Sequence, residues 1–167
     1  YYTRADALVH AQLTLHRELG QDVICVGADN YYIAEGFGCE TSRGDDEMPS
    51  LEKPAVASIE DVYSLKVPDP FTQGRMPVMI EAIRAVRQAV GDAVAIRCPG
   101  TGPFALASYL IGSQAWLTEV GMFEAGMNDD HEAALHQALA LAAEALIRFG
   151  IACADAGADV IHCGDSL

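Results

Sequence analysis

The stretch that decides the fold is Gly157-Ala-Asp-Val-Ile-His-Cys-Gly-Asp-Ser-Leu167. It contains a buried strand, Asp159 to Cys163, that ends in a small polar turn with a carboxylate and a hydroxyl. Two earlier segments have the same form, Asp22-Val-Ile-Cys-Val-Gly-Ala-Asp29 and Ala93-Val-Ala-Ile-Arg-Cys-Pro-Gly100. In parallel α/β folds, side chains just past the carboxyl ends of strands face the active site. The three units therefore predict one side of a barrel, with a site at its strand ends.

Helical segments alternate with these strands. Apolar residues recur at helical spacing over 3–19, 79–90 and 131–150, and a further helix begins after a tight turn predicted at 99–103. Such alternation is typical of a parallel sheet with right-handed crossovers. We therefore expect neighbouring parallel strands at residues 22–27, 93–98 and 158–163.

Residues 41–70 interrupt the alternation. They hold four of the seven prolines and a charged stretch, Arg43-Gly-Asp-Asp-Glu47. Loops of this length inside compact domains are usually lids or binding loops, or else disordered. Because the alternation resumes directly afterwards, we interpret 41–70 as a long surface excursion with one short helix near 59–65. Residues 1–167 then form a single partial catalytic domain.

The composition limits the partners and the compartment. With a net charge of −14, the chain lacks the basic surface that nucleic acid or anionic membranes require. No apolar run approaches the roughly 20 residues of a membrane span, and no signal segment opens the sequence. The five cysteines are an odd number without a CxxC pair, as expected of free thiols. The sequence predicts a cytoplasmic protein that binds neither nucleic acid nor membrane.

The candidate site residues lie at or after the ends of the strands. Asp29 follows the first strand, where its carboxylate could stabilise a developing cation or hold a substrate N–H group, or could simply cap a helix. Tyr109 lies two turns into the helix after Gly102, and its phenol either reaches a ligand or packs with its hydroxyl in water. Asp165 and Ser166 close the third strand. We predict catalytic roles for Asp29 and Tyr109, and substrate binding by Gly102, Asp165 and Ser166.

Two other kinds of site are disfavoured. A triad of Ser166, His162 and Asp29 is formally available, but the chain has no G-x-S-x-G nucleophile elbow. His162 and Cys163 are adjacent, so in an extended strand they point to opposite faces and one metal ion could hardly bind both. We therefore predict no metal ligands within this chain.

Four motifs follow one another along the chain. They are Asp22-Val-Ile…Asp29…Glu35-Gly-Phe-Gly38, then Val67-Pro-Asp-Pro70…Gly74-Arg75, then Gly102-Pro-Phe-Ala-Leu-Ala-Ser-Tyr109-Leu-Ile-Gly112, then Ala156-Gly-Ala-Asp-Val-Ile161…Asp165-Ser166. Their order and spacing resemble the uroporphyrinogen decarboxylase superfamily, which also contains the cobalamin-dependent methyltransferases. The resemblance implies part of a (β/α)₈ TIM barrel: roughly its first half, lacking the first strand and the last several.

The resemblance also implies roles for individual residues. The decarboxylases use an aspartate eight or nine residues before a glycine at the second strand, and Asp29 matches it, nine residues before Gly38. In that family the aspartate binds the pyrrole N–H groups and stabilises the protonated intermediate. Tyr109 matches the family's active-site tyrosine, six residues after Pro103, and Ser166 matches its substrate-contacting serine.

Departures from the decarboxylase pattern favour the methyltransferase branch. Pro99 stands where a phenylalanine packs on the tetrapyrrole, and Thr101 replaces a glycine. The chain also lacks the Thr-Leu-Gln-Pro stretch that decarboxylases typically show before the second strand. The helix over 3–19 and the proline-containing loop resemble the methyltransferases. That branch binds zinc through a His-x-Cys pair and a further Cys in the second half of the barrel, after Leu167.

The resemblance leaves three functions open. The first is corrinoid-dependent methyl transfer to a thiol or similar acceptor, with zinc holding the thiolate. The second is a uroporphyrinogen-type decarboxylase of porphyrin (heme) biosynthesis, which needs no metal or organic cofactor. The third is a non-catalytic binding barrel. The implied partners are a small-molecule substrate or a corrinoid, with a corrinoid protein and a homodimer as further options, and no cofactor is visible in this chain.

Two physical expectations accompany this interpretation. A strand-end carboxylate contributes little to the core, so Asp29→Asn should lower turnover more than stability. Three or four strands cannot close a barrel, so the chain alone would expose an apolar edge and an uncovered sheet face. Residues 1–167 expressed alone are therefore expected to aggregate or stay partly unfolded.

Overall fold

The computed structural model describes residues 1–27, 29–42 and 47–165, apart from the side chain of Asp129. Two 3₁₀ turns, Glu60–Ser64 and Asp129–His131, accompany the helices and strands of this part of the chain. The helices are α1 Ala5–Leu19, α2 Tyr32–Gly36, α3 Met76–Val90, α4 Pro103–Ile111, α5 Ser113–Glu124 and α6 Glu132–Ala156. The strands are β1 Val23–Cys25, β2 Glu40–Thr41, β3 Leu51–Lys53, β4 Ala95–Thr101 and β5 Val160–Gly164.

The central sheet is parallel, with the strand order β1-β4-β5. Val23 is in register with Ala95, and Arg97 with both Cys25 on β1 and Val160 on β5. Helices connect the three strands, which is the crossover geometry that parallel pairing requires. The prediction of three neighbouring parallel strands is confirmed.

Helices cover one face of this sheet. Ile24 and Ile96 are fully buried on that face, and Cys98 lies there with its Sγ 3.6 Å from Sγ of Cys153 on α6. Cys163 also lies on this face, where it lines a surface with α6. Its neighbour His162 is in register with Pro99 and lies on the other face. His162 and Cys163 therefore point to opposite faces, as predicted. The face without helices carries partly buried or exposed residues, namely Val23, Cys25, Arg97, Pro99, Val160 and His162.

α3 and α6 form the buried helical layer. The inner side of α3 carries Met79, Ile80, Ile83 and Val86, a spacing that places them on one helical stripe. α6 continues beyond the helix predicted at 131–150 and ends at Ala156, and its buried side is rich in alanine. Small side chains let α6 pack closely on both α3 and α4.

The hydropathy of α6 differs from expectation. Among the residues described, α6 is the one helix long and apolar enough to cross a membrane, judged by length and composition only. The sequence analysis expected no such segment. Core helices of soluble proteins pass the same test, and α6 buries Leu135, Ala142 and Phe149 inside the fold. The burial of these residues accounts for part of its apolar character, while Ile147 and Ile151 are exposed.

The turn predicted at 99–103 is strand as far as Thr101. In a parallel ladder, successive residues bond to opposite neighbours. Arg97 accepts a hydrogen bond from Val26 beside β1, so Pro99, two residues further, also faces the β1 side. β1 has already ended there, and the missing N–H of proline therefore breaks no ladder bond.

The excursion over 41–70 is partly regular. β2 and β3 form an antiparallel pair, and the 3₁₀ turn at Glu60–Ser64 takes the place of the predicted short helix. The backbone N–H of Val56 donates to the carbonyl of Leu110 at 3.1 Å, which ties the excursion to α4. The charged residues 43–46 lie outside the described residues.

Candidate active site

Asp29 lies in the loop after β1, and its side chain is completely buried. Both carboxylate oxygens accept hydrogen bonds from Arg75, at 2.7 Å from Nη1 and 2.9 Å from Nη2. Oδ1 also accepts from the backbone N–H of Tyr31 at 2.9 Å, which fixes the turn ahead of α2. In this conformation Asp29 anchors the loop ahead of α2, a role similar to the helix cap that the sequence analysis offered as the alternative. Its catalytic role stays a prediction.

Arg75 holds a second carboxylate. Its Nε donates to Oε2 of Glu35 at 2.8 Å and to Oε1 at 3.0 Å, and these two side chains are 8 % and 6 % exposed. Burial acts to lower the pKa of Arg75, but the hydrogen bonds to Asp29 and Glu35 outweigh it and raise the pKa above its ordinary value. The guanidinium is therefore a permanent cation between two carboxylates.

The sequence analysis quoted Gly74-Arg75 as a motif without giving it a role. Gly74 has φ +59°, and a Cβ at this position would lie 2.5 Å from the carbonyl oxygen of Tyr32 and 2.7 Å from the backbone nitrogen of Gly36. Glycine alone fits this close approach to α2. The motif thus packs against α2, and this contact places the guanidinium between Asp29 and Glu35.

Tyr109 is close to the Asp29 loop. Its ring, which is 9 % exposed, packs against the ring of Tyr31 with centroids 4.9 Å apart. Burial raises the pKa of Tyr31, and the nearby Tyr109 and Asp29 raise it further. The structure therefore brings the two residues predicted to be catalytic together through Tyr31, which the sequence analysis did not single out.

Asp165 and Gly102 form a separate contact between β5 and α4. Oδ1 of Asp165 accepts a hydrogen bond at 3.0 Å from the backbone N–H of Ala105, in the first turn of α4, where N–H groups lack helical partners. A Cβ at Gly102 would lie 2.2 Å from Cγ of Asp165, so only glycine allows this approach. The carboxylate of Asp165, which directly follows β5, thus caps the N-terminus of α4. Substrate binding by either residue stays a prediction, and Ser166 lies outside the described residues.

A cleft of about 310 Å³ opens at the carboxyl ends of β1 and β4. Pro99 packs on the backbone of Gly27, where a Cβ would lie 2.4 Å from Cγ of the proline, and this contact shapes one wall. Of the predicted site residues in the described part of the chain, Asp29 alone lines the cleft. The full lining is Cys25, Gly27, Asp29, Asn30, Tyr31, Met48, Pro49 and Pro99.

The residues present do not fit a metal ion. Within 1–27, 29–42 and 47–165, no group of three or more His, Cys, Asp or Glu side chains could hold one. The carboxylates of Asp29 and Glu35 are already bound to Arg75. The described residues therefore offer no zinc site.

The family of the chain follows from sequence comparison. The sequence model of the uroporphyrinogen decarboxylase (URO-D) family matches residues 1–167. The chain belongs to the uroporphyrinogen decarboxylase family. This confirms the resemblance inferred from the four motifs.

Relatives in this family have two different activities. MtaA, a methylcobamide:CoM methyltransferase of Methanosarcina barkeri (strain Fusaro), is 33 % identical over 141 residues, 81 % of this chain and 38 % of that protein. The uroporphyrinogen decarboxylase of Carboxydothermus hydrogenoformans is 32 % identical over 154 residues, 90 % of this chain and 41 % of that protein. The chain thus spans about two fifths of these relatives, and identity alone does not separate the activities.

A solved structure shares the fold. A methyltransferase from Methanosarcina mazei superposes with a TM-score of 0.84 at 29 % sequence identity. The superposition covers 98 % of this chain and 46 % of that one. The α/β architecture and its parallel sheet are therefore shared with this solved methyltransferase.

Proposed function

We propose that this chain forms part of the active-site barrel of a methyltransferase that moves a methyl group between a corrinoid and a thiol or similar acceptor. The observation that supports this choice is the pairing of Asp29 with Arg75. Decarboxylation would require the matching aspartate to accept the pyrrole N–H groups of the substrate and to stabilise a cation. Here both carboxylate oxygens are occupied and no part of the side chain is exposed.

The character of the cleft supports the same choice. The thiol acceptor must lose its proton, and its sulfur must attack the methyl carbon, whose bond to the corrinoid substrate then breaks. Met48, Pro49 and Pro99 line the cleft with apolar groups, which are suited to a sulfur nucleophile that attacks with little water beside it.

The rest of the barrel is part of this proposal. β5 exposes Val160 by 44 % and Ile161 by 39 %, and β1 exposes Val23 by 41 %. Apolar strand residues of this kind are normally covered in parallel sheets. We infer that the remaining parts of a closed barrel cover them in the whole protein. That protein would act in the cytoplasm and would bind neither nucleic acid nor membrane. Its proposed partners are a corrinoid or a corrinoid protein and a second copy of itself in a homodimer.

The test is a pair of assays on the whole protein that contains this chain. Methyl transfer is followed by the absorbance change of methylcobalamin in the presence and absence of a small thiol such as coenzyme M. Decarboxylation is followed by the conversion of uroporphyrinogen. We expect methylcobalamin to be consumed only when thiol is present, without turnover of the porphyrinogen.

Variants of two tyrosines sharpen the assay. Tyr109→Phe removes the hydroxyl beside the Asp29 loop and is expected to lower methyl transfer. Tyr63→Phe is the matched control, because Tyr63 is 60 % exposed on the surface excursion, and it should leave the rate unchanged. Decarboxylation of uroporphyrinogen without methyl transfer would overturn the proposal in favour of the second family activity.

A further inference from the structure

Tyr31 lies where the loop after β1 meets the start of α2. Its backbone N–H donates to Oδ1 of Asp29 at 2.9 Å, and its carbonyl oxygen accepts from the backbone N–H of Glu35 at 2.9 Å. The side chains of Asp29 and Glu35 are both bound to Arg75. The buried charge cluster therefore fixes both polar groups of the Tyr31 backbone.

The side chain of Tyr31 is also held in place. Its ring packs on the ring of Tyr109 from α4, with centroids 4.9 Å apart and planes tilted by 56°. Tyr109 is buried, whereas Tyr31 is only partly buried. Tyr109 thus supports a ring that keeps part of its surface accessible. A side chain that is already ordered loses little conformational entropy when a ligand binds to it.

Tyr31 lines the cleft at the carboxyl ends of β1 and β4. In barrels of this fold, the active site lies at this end of the strands. Met48, Pro49 and Pro99 are apolar neighbours of Tyr31 in the lining. An ordered aromatic ring in an apolar cleft provides a flat surface on which another ring system can pack.

We propose that Tyr31 packs against the edge of the substrate's macrocycle and that Tyr109 is its positioning residue. The corrinoid of the proposed methyl transfer and the uroporphyrinogen of the alternative share a tetrapyrrole-derived macrocycle. This role rests on the proposed function, since it takes the cleft as the place where the substrate binds. It concerns the contact that holds the ring system and not the atoms that react.

Two macrocycles that do not react under the assay conditions serve as probes. Methylcobalamin without thiol and the oxidised porphyrin, uroporphyrin, would each be titrated into the whole protein by calorimetry. Tyr31→Ala is expected to weaken binding of the recognised macrocycle about fivefold to tenfold, because the ring contact is lost. Tyr31→Phe keeps the ring and should bind like the parent protein. Tyr63→Ala removes a 60 % exposed ring from the surface excursion and should leave the affinity unchanged.

The role of Tyr109 requires a double-mutant cycle. Tyr109→Leu removes the ring that supports Tyr31 and should weaken macrocycle binding about two- to threefold in the parent protein. In the Tyr31→Ala background, the same change should weaken it no further, because the ring to be positioned is gone. Equal effects of Tyr109→Leu in both backgrounds would show that Tyr109 does not act through Tyr31.

The outcomes are separable from those of the activity assays. Equal affinity in Tyr31→Ala and the parent protein would overturn the proposal, and so would a parent protein that binds neither macrocycle. Melting temperatures establish that the variants are folded, and Tyr31→Leu, which should also weaken binding, replaces the alanine variant if that one is not. Uroporphyrin binding that depends on Tyr31 would confirm the contact even if methyl transfer failed. Methyl transfer with unchanged affinity in Tyr31→Ala would refute the contact and leave the proposed function standing.

Discussion

Replacing Arg75 by methionine should be the most damaging single change in the buried charge cluster. The variant leaves Asp29 and Glu35 without the cation that both carboxylates contact, and their side chains are only 0 % and 6 % exposed. Removing one partner of a buried ion pair typically costs about 3–5 kcal/mol. Because two carboxylates lose their partner here, we expect about 5 kcal/mol, which approaches the total stability of many domains.

Asp29→Asn is the milder change at the same place. The amide oxygen can still accept from Tyr31, and Arg75 keeps Glu35 as a partner, so the expected cost is about 2–3 kcal/mol from weaker charge-assisted hydrogen bonds. The expectation that this variant would lower turnover more than stability was wrong in its reason, because the carboxylate is buried in an ion pair. Asp92→Asn is the control, since this exposed carboxylate lies 3.7 Å from Arg87 and should change stability by less than about 1 kcal/mol.

Urea unfolding of the whole protein, followed by circular dichroism, measures these differences. The predicted order of destabilisation is Arg75→Met, then Asp29→Asn, then Asp92→Asn. If Arg75→Met cost no more than the surface control, the cluster would not be what fixes the loop after β1. An Asp29→Asn variant with unchanged stability and no turnover would also refute the reasoning, because it would reveal a carboxylate that is free to act on a substrate.

Three further predictions concern other parts of the chain. The hydrogen bond to Glu119 raises the pKa of His131 above its ordinary 6.5, so this contact stabilises the fold at acidic pH and is lost as pH rises through the raised value; the pH dependence of melting should weaken in His131→Gln. Gly102→Ala places a carbon 2.2 Å from the carboxylate that follows β5 and should cost about 1–3 kcal/mol in urea unfolding, whereas Gly121→Ala, with open space around it, should not destabilise. Cys163 is exposed on the side of β5 that faces α6 and should be protected from maleimide in the native whole protein if the rest of the barrel covers this surface; rapid labelling would show that it stays open.

Local patterns were sufficient to predict most of the fold. The segments predicted at 22–27, 93–98 and 158–163 became β1, β4 and β5, and the helices predicted at 3–19 and 79–90 became α1 and α3. Strand and helix periodicities are properties of neighbouring residues, so they can be read without knowledge of the tertiary structure. α5 was missed although Trp116, Val120 and Phe123 recur at helical spacing and pack on the core, because only Trp116 is fully buried and the stripe is short.

The site was less accessible to sequence reasoning. Asp29 and Arg75 are 46 positions apart, and no spacing rule indicates which distant arginine reaches a given carboxylate. The same holds for Asp165, whose cap on α4 bridges 60 positions. The motif resemblance singled out Asp29 and Asp165, but their hydrogen bonds depend on how the loops fold back on the sheet. These contacts, and not the motifs, show that the carboxylate of Asp29 is buried and paired with Arg75.

In the proposed methyltransferase, the ion pair with Arg75 holds Asp29 and its loop beside the cleft. An experimental structure of the whole protein with a methyl donor or a substrate analogue bound tests it most directly. We predict that both oxygens of Asp29 remain within hydrogen-bond distance of Arg75 and that the ligand occupies the cleft beside Tyr31 and Pro99. A carboxylate turned away from Arg75 and accepting N–H groups of a bound tetrapyrrole would contradict the account.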